Sequence, residues 1–296
     1  MHALLIHNPT AGTGSHTAQV LSAFLREAGY TVTACSIKQG LYKKCLKDPT
    51  DLILVAGGDG AITRVIRSLP RFSSPLAILP LGTANNIARS LGIEGEAEVL
   101  LDCVRRRTTR TLDVGFVSGG PWKKRRFVEG VGIGLLANWM VGASSKPPAH
   151  ERTQKGRELL REALLKAVPQ KRSLNIDGHE LSQEFLLVEV LNTRFIGPAL
   201  PMGPAAEPGD RLLDLVYLLP ESRSEMLAWL DNPRRSTCPL LVRQGRKIIL
   251  RWKDGPLHID DRSWDRPEKN AQLIIKLAPK GLQVCVPLPH ESSEYP

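Results

Sequence analysis

The tetrapeptide Gly57-Gly58-Asp59-Gly60 sets one carboxylate inside a glycine turn. Glycine lets a backbone approach a ligand closely and take positive φ. A helix is expected from about Ala61, and amide groups at a helix N-terminus favour anions, phosphate above all. An acid beside a phosphate repels it unless something mediates. The two roles open to Asp59 are reaching a Mg²⁺ and accepting the proton of an attacking hydroxyl. The plainer alternative is a tight turn with a capping Asp. Gly82-Thr83-Ala84-Asn85 makes a second small-residue turn, where Thr83 and Asn85 can bond phosphate or ribose, or cap a helix. Gly12 and Gly14, after Asn8-Pro9, make a third. No Gly-Lys-Ser/Thr follows, so this is no Walker A loop, and Gly12-x-Gly14 lacks the third glycine of a Rossmann fingerprint.

The elements around these loops repeat one pattern. His2–His7 reads as a strand, followed by the Asn8–Gly14 loop and a helix over about Ser15–Ala28, with Val20, Leu21, Phe24, Leu25 and Ala28 on one face. Gly29 supplies its stop. Tyr30–Ile37 has strand character. Leu52–Ala56 and Leu76–Leu79 are continuous apolar runs, as expected for strands covered on both faces. Each runs into a glycine loop and then a helix, the last through about Leu91. Strand, loop, helix, three times over, implies a mostly parallel sheet with its loops at the strands' carboxyl ends, where such sheets bind ligands. Three loops on one sheet edge point to phosphate binding.

After about Asp113 the pattern becomes mainly antiparallel β. Leu174–Ile176, Phe185–Leu191, Leu212–Leu219, Lys247–Trp252, Leu273–Leu277 and Leu282–Val286 read as strands, with hairpin signals at Asp177-Gly178 and Asp254-Gly255. One charged helix, about Glu151–Val168, follows the loop Ser144–Pro148. Its leucines suit packing on its own domain, and its Arg and Lys suit an anionic membrane as the alternative.

The net charge is +10, with basic clusters at Arg105-Arg106-Arg107, Lys123-Lys124-Arg125-Arg126 and Arg234-Arg235. Together they favour an anionic partner. Aromatics make up 5% of the chain, too few for a base-stacking platform, so nucleic acid is not expected. The five cysteines form no C-x-x-C pair and read as free thiols in a reducing cytosol. No apolar run reaches the roughly 18 residues that span a bilayer, and no signal peptide is expected. Only the tail His290–Pro296 reads as disordered.

Asn8-Pro9 with Gly12 and Gly14, Gly57-Gly58-Asp59-Gly60, Gly82-Thr83-Ala84-Asn85 and Leu112-Asp113-Val114-Gly115 occur in an order and spacing that resembles the diacylglycerol kinase catalytic-domain family, which includes sphingosine kinases and small bacterial lipid kinases. The resemblance continues through Phe127–Gly134, Asn192, Pro204-Ala205 and Leu213-Asp214 to Ile259-Asp260-Asp261. It implies a doubly wound α/β domain similar to NAD kinase and phosphofructokinase, an antiparallel β-sandwich, and an active site in the cleft between them. The expected boundaries are 1–115 for the nucleotide domain, 116–279 for the lipid domain, and a return of 280–296 to the first. By resemblance, Asn8, Gly12, Gly14, Gly57, Gly58, Gly60, Gly82, Thr83 and Asn85 bind ATP. Asp59 is tied to metal and catalysis, Asp113 helps hold Mg²⁺ through water, and Asp260 lies near the base that activates a lipid hydroxyl.

Four positions depart from the family's pattern: Ala61 for Thr, Arg64 for Glu, Asn86 for Asp, and Arg262 for the Glu of Asp-Gly-Glu. An Arg cannot be a base at neutral pH. Asp261, by a one-residue shift, or Asp59 then takes that role. His258 reads as structural, and Trp122, Trp139, Trp229, Trp252 and Trp264 as core or rim. The expectation is a cytoplasmic, peripherally membrane-associated lipid kinase using ATP and Mg²⁺. The alternatives are an inactive nucleotide- or lipid-binding relative and an NAD kinase-like enzyme, the latter disfavoured because no Asn-Glu pair occurs. Self-association as a homodimer stays open.

Overall fold

The structure, a computed structural model, describes residues 1–12, 14–95, 97–142, 151–233, 236–267 and 269–288. Arg234-Arg235, the loop Ser144–Pro148 and the tail His290–Pro296 lie outside the described residues. Two units result: Met1–Leu112 with the segment from Lys280, and Asp113–Pro279.

In the first unit the strands are β1 (His2–His7), β2 (Thr31–Ser36), β3 (Leu52–Gly57), β4 (Leu76–Pro80), β5 (Thr109–Leu112) and the returning β18 (Leu282–Cys285). Between them lie helices α1 (Ala18–Glu27), α2 (Tyr42–Cys45), α3 (Asp59–Ser68), α4 (Asn86–Ser90) and α5 (Ala97–Arg106). The strand order is β2-β1-β3-β4-β18-β5, parallel except for the β18–β5 pair. Every residue of β3 is buried, which is why its sequence is an unbroken apolar run. Helix α1 begins three residues later than its periodicity suggests, because Thr17 caps it, accepting the Val20 amide at 3.3 Å. Val20 is consequently exposed rather than on the packed face. Gly29 ends the helix at φ 84°. All five cysteines are free thiols, and the Sγ atoms of Cys35 and Cys45 lie 3.1 Å apart.

The second unit is a sandwich of two antiparallel sheets. Its elements are β6 (Gly115–Ser118), β7 (Arg125–Phe127), β8 (Gly130–Gly134), α6 (Leu135–Gly142), α7 (Arg152–Lys166), β9 (Gln170–Ile176), β10 (His179–Phe185), β11 (Leu187–Leu191), β12 (Leu213–Leu218), α8 (Arg223–Asp231), β13 (Leu241–Gly245), β14 (Lys247–Trp252), β15 (Leu257–Ile259), β16 (Arg262–Trp264) and β17 (Ala271–Leu277). One sheet runs β10-β9-β14-β17-β6-β7 and the other β13-β12-β11-β8-β15-β16. Phe127, Ile133, Val190, Leu250, Trp252 and Ile275 fill the space between them. The outer face of the second sheet is covered by α6, α7 and α8 through Leu136, Leu160, Leu164, Met226 and Trp229. Helix α7 thus spends its leucine stripe on its own unit. Among the described residues no helix is long and apolar enough to cross a membrane.

Two expectations about the strands need correction. Phe185–Leu191 is not one strand: Leu186 is the crossing point between β10 in the first sheet and β11 in the second. Both segments are buried on this stretch, so the apolar run carries no mark of the switch. Asp254-Gly255 is likewise no hairpin turn, since β14 and β15 belong to different sheets. It is anchored by Arg172 Nη2 to Asp254 Oδ1 at 2.8 Å and by Trp252 Nε1 to the Gly255 carbonyl at 2.9 Å. Asp177-Gly178 does form the β9–β10 turn, with both residues at positive φ.

Candidate active site

Strands β1, β3 and β4 are neighbours, so their carboxyl ends bring the three glycine loops side by side in the first unit. Backbone bonds lock them together. The Asn8 amide donates to Ala56 O at 2.9 Å, Gly12 to Leu81 O at 3.0 Å, and Leu81 to Gly57 O at 3.0 Å. Gly58 and Gly82 are packed back to back. A Cβ added to Gly82 would meet Gly58 Cα at 2.5 Å, and one added to Gly58 would meet Gly82 Cα at 2.8 Å. A Cβ on Gly57 would meet Ala61 Cβ at 2.8 Å. Gly12 and Gly14 hold φ of 75° and 89°, which favours glycine, and open space surrounds the Cβ position of Gly14.

The polar side chains on these loops mostly organise the loops themselves. Asn85 sits in the left-handed region at φ 51°. Its Oδ1 accepts the Gly82 amide at 2.9 Å, and its Nδ2 donates to Pro80 O at 3.1 Å and Gly82 O at 3.0 Å. Asn8 Oδ1 accepts from the Thr10 hydroxyl at 3.1 Å. Thr83 is exposed. Arg64, where the family commonly has Glu, donates from Nε to Gly60 O at 3.0 Å, one turn back on its own helix. Asn86 is buried at the start of α4.

Asp59 opens α3, and its Oδ1 accepts the Ile87 amide at 3.0 Å. The carboxylate therefore caps α4 from another loop. Burial pushes its pKa above the usual carboxylate range, against the opposing pull of the Ile87, Asn86 and Asn85 amides and its own. A half-buried acid held at a helix N-terminus, beside backbone amides, suits a site that handles anions and protons.

In the second unit, Asp113 is fully buried. Arg211 donates to it twice, from its amide to Oδ2 at 2.9 Å and from Nη1 to Oδ1. Asn192 Nδ2 ties the Asp113 and Val128 carbonyls at 2.9 and 2.8 Å. Asp260 stands at φ 49° in the β15–β16 turn, and its Oδ1 accepts the amides of Val128, Glu129 and Gly130 at 3.0, 2.8 and 3.2 Å. Such a nest of amides stabilises the ionised carboxylate. Asp261 and Arg262 are exposed. Among the described residues no group of three or more His, Cys, Asp or Glu gathers to hold a metal ion.

Sequence reasoning missed Arg211, which sits in a turn with no recognisable pattern. It also passed over Glu189, although an acid in the middle of the Leu187–Leu191 apolar run was a usable signal. Glu189 is fully buried and meets His258, its Oε2 2.7 Å from Nε2. Strand β8 separates them, and its residue at the crossing is Gly132, paired in register with both.

A parallel α/β unit whose strands end in glycine loops, in one chain with an antiparallel sandwich, is an architecture shared with known kinases. A diacylglycerol kinase structure from Bacillus anthracis matches with a TM-score of 0.73 at 19% identity, over 96% of each chain. An NAD kinase structure from Archaeoglobus fulgidus, in complex with ATP, matches with a TM-score of 0.57 at 16% identity, over 97% of this chain and 94% of that one. In sequence, the diacylglycerol kinase catalytic domain profile matches residues 2–117. The diacylglycerol kinase of Bacillus subtilis is 31% identical over 241 residues, 76% of each protein, and that of Mycobacterium tuberculosis is 28% identical over 231 residues, 74% of each. The chain belongs to the diacylglycerol kinase family.

Proposed function

We propose that this protein is an ATP-dependent lipid kinase that transfers the γ-phosphate to the hydroxyl of a lipid such as diacylglycerol or a sphingoid base. The observation that carries the reading is the back-to-back packing of Gly58 and Gly82, which locks two glycine loops together beside the half-buried carboxylate of Asp59. Backbone amides on these loops and at the start of α3 would offer the donors that an ATP phosphate chain requires. The residues present fit Mg²⁺ carried in with the nucleotide, which takes one or two carboxylates besides phosphate and water; when bound it would neutralise phosphate charge. Asp59 would supply the carboxylate. Its raised pKa also suits it to receive a proton.

In the reaction, the lipid oxygen forms a bond to the γ-phosphorus, the bond to the bridging oxygen of ADP breaks, and the hydroxyl proton passes to a carboxylate. Asp113 and Asp260 already have their charge balanced by Arg211 and by three amides, so we assign them positioning roles. Asp261, exposed at the turn, is left as the second candidate base. The protein would meet its substrate at an anionic membrane surface, peripherally and from the cytoplasm.

The test is ATP/Mg²⁺ turnover against diacylglycerols, sphingoid bases and isoprenoid alcohols, wild type beside Asp59→Asn. Phosphorylation lost with Asp59→Asn supports the reading. Nucleotide binding with no Asp59-dependent product supports the second one, an inactive binding protein, which Asn86 and Arg262 favour. Arg262→Glu restores an acid at an exposed turn position and is expected to raise turnover at least about tenfold.

A further inference from the structure

One face of the sandwich carries no covering element among the described residues: the outer side of the sheet β10-β9-β14-β17-β6-β7. Leu250, Trp252, Leu273, Ile275 and Val117 point into the core, so their neighbours on each strand point out. The register lines these up in rows. Lys247 on β14 pairs with Lys276 on β17, which pairs with Phe116 on β6, which pairs with Arg126 on β7. Lys124 Nζ lies 3.8 Å over the Phe116 ring. In the adjacent row Ile249 pairs with Ile274, both half-buried. Arg251 follows, at the rim of a cavity of about 310 Å³ that Lys171, Lys253, Ser173 and Ser182 also line. Asp254 at this cavity is paired with Arg172, and of the acids on the outermost strand β10, Glu180 accepts from Asn175 while Glu184 stands opposite Lys171.

Two lysines directly opposite across a strand pair repel each other. The Lys247 amide donates to Asp177 Oδ1 at 2.8 Å, but neither the Lys247 nor the Lys276 ammonium is paired with a carboxylate among the described residues. Cations that destabilise the sheet, surrounding an apolar pair and ending in a basic pocket, suit a broad negative partner with an apolar layer beneath its charges. We infer that this sheet face docks onto an anionic bilayer, with the pocket of Lys171, Arg251 and Lys253 receiving a lipid phosphate and Ile249 and Ile274 meeting the headgroup boundary. This deepens the proposed lipid-kinase reading, since it names the surface through which the protein would meet its substrate's membrane. A nucleic acid offers the same phosphates but no apolar layer for the isoleucines.

The experiment is vesicle flotation without nucleotide, using phosphatidylcholine alone or with about one-third phosphatidylglycerol, at moderate and high salt. Wild type should float only with the anionic vesicles, less at high salt. The triple variant Lys247→Glu/Arg251→Glu/Lys276→Glu should bind roughly a hundredfold more weakly. Lys247→Glu alone creates an opposite-charge pair with Lys276. It should raise the unfolding midpoint by about a degree or more while weakening vesicle binding about fivefold or more. That opposition of stability and binding separates docking from misfolding. A triple variant that floats like wild type overturns the inference. So does wild type that ignores anionic vesicles, whether or not it retains single-stranded DNA. Flotation without phosphorylation of any lipid keeps the docking face and rejects the kinase reading.

Discussion

Asp59 Oδ1 takes the amide hydrogen of Ile87 at 3.0 Å, across 28 residues of chain, so the Gly57–Gly60 loop caps the helix that follows Gly82–Asn85. One carboxylate fixes the geometry of two loops. Burial holds its native pKa above the ordinary value of 3.8. An acid with a raised native pKa binds more protons folded than unfolded between those two values. Ionising it therefore costs stability, which falls as pH rises through that window. Asn keeps an oxygen for the Ile87 amide and cannot ionise. Asp59→Asn should leave the neutral-pH unfolding midpoint equal or higher and flatten its pH dependence above about pH 4. Turnover should fall at least about a hundredfold. A lower midpoint with turnover intact would falsify the assignment.

The contact between Gly58 and Gly82 makes a sharper demand. Gly82→Ala puts a methyl 2.5 Å from Gly58 Cα and 2.7 Å from Asn85 Oδ1. Backbone must move to admit it, at a cost of about 1–3 kcal/mol. The movement parts two loops that we assign to the nucleotide. We expect a raised KM for ATP together with a lowered midpoint. By contrast, Gly14→Ala meets no atom, so only its positive φ resists the change, and the midpoint should drop by a smaller amount.

Arg211 answers a fully buried Asp113, and its Nη2 also donates to Ala278 O at 2.6 Å. Arg211→Ala keeps the amide bond to Oδ2 but removes the guanidinium that balances the buried charge, and should destabilise the protein by about 1–3 kcal/mol, read by urea unfolding. Replacing both, as Asp113→Asn with Arg211→Met, should recover much of that loss. No recovery would show that Asp113 needs its charge for something beyond Arg211.

The buried pair of Glu189 and His258 carries a pH signature. Burial alone lowers the His258 pKa, and the Glu189 carboxylate outweighs it, for a net rise above 6.5. A base with a raised native pKa contributes stability in full below pH 6.5 and loses it as pH climbs through the native value. Burial raises Glu189 as well, which adds to the same trend. The midpoint should therefore decline as pH rises, first above about pH 4.5 through Glu189 and further above about pH 6.5 through His258, and Glu189→Gln with His258→Asn should remove that decline. Gly132→Ala would drive a methyl to 1.9 Å from the Glu189 carboxylate and is expected to prevent stable folding.

What could be read from sequence divides along physical lines. The three loops were legible because glycine set between a buried apolar strand and a helix marks backbone that a ligand must approach closely, and β1, β3 and β4 are covered on both faces. Their side chains were less so. Asn85 looked like a ligand group, yet its whole amide is used within Pro80–Gly82, a local bonding pattern that no spacing reveals. Strands β8 and β15 were missed because Gly130, Gly132 and Gly134 erase the alternation that marks a strand, and because β15 has only three residues. The sheet change at Leu186 was hidden for the opposite reason: both sides of it are equally apolar. Arg211 was invisible because its partner lies 98 residues away.

Strand β18 lies between β4 and β5, an interior place in the first unit's sheet, yet it is made only after the whole of the second unit. While synthesis proceeds, β4 and β5 have emerged with no neighbour to fill the gap, and their free edges face the cell through the whole time needed to build residues 113–279. The glycine loops can fold early, but the sheet beneath them closes only once Leu282–Cys285 has been made. A chain cut short before Leu282, by mistranslation or proteolysis, would carry every glycine motif and still be an open-edged fragment, suited to removal or aggregation.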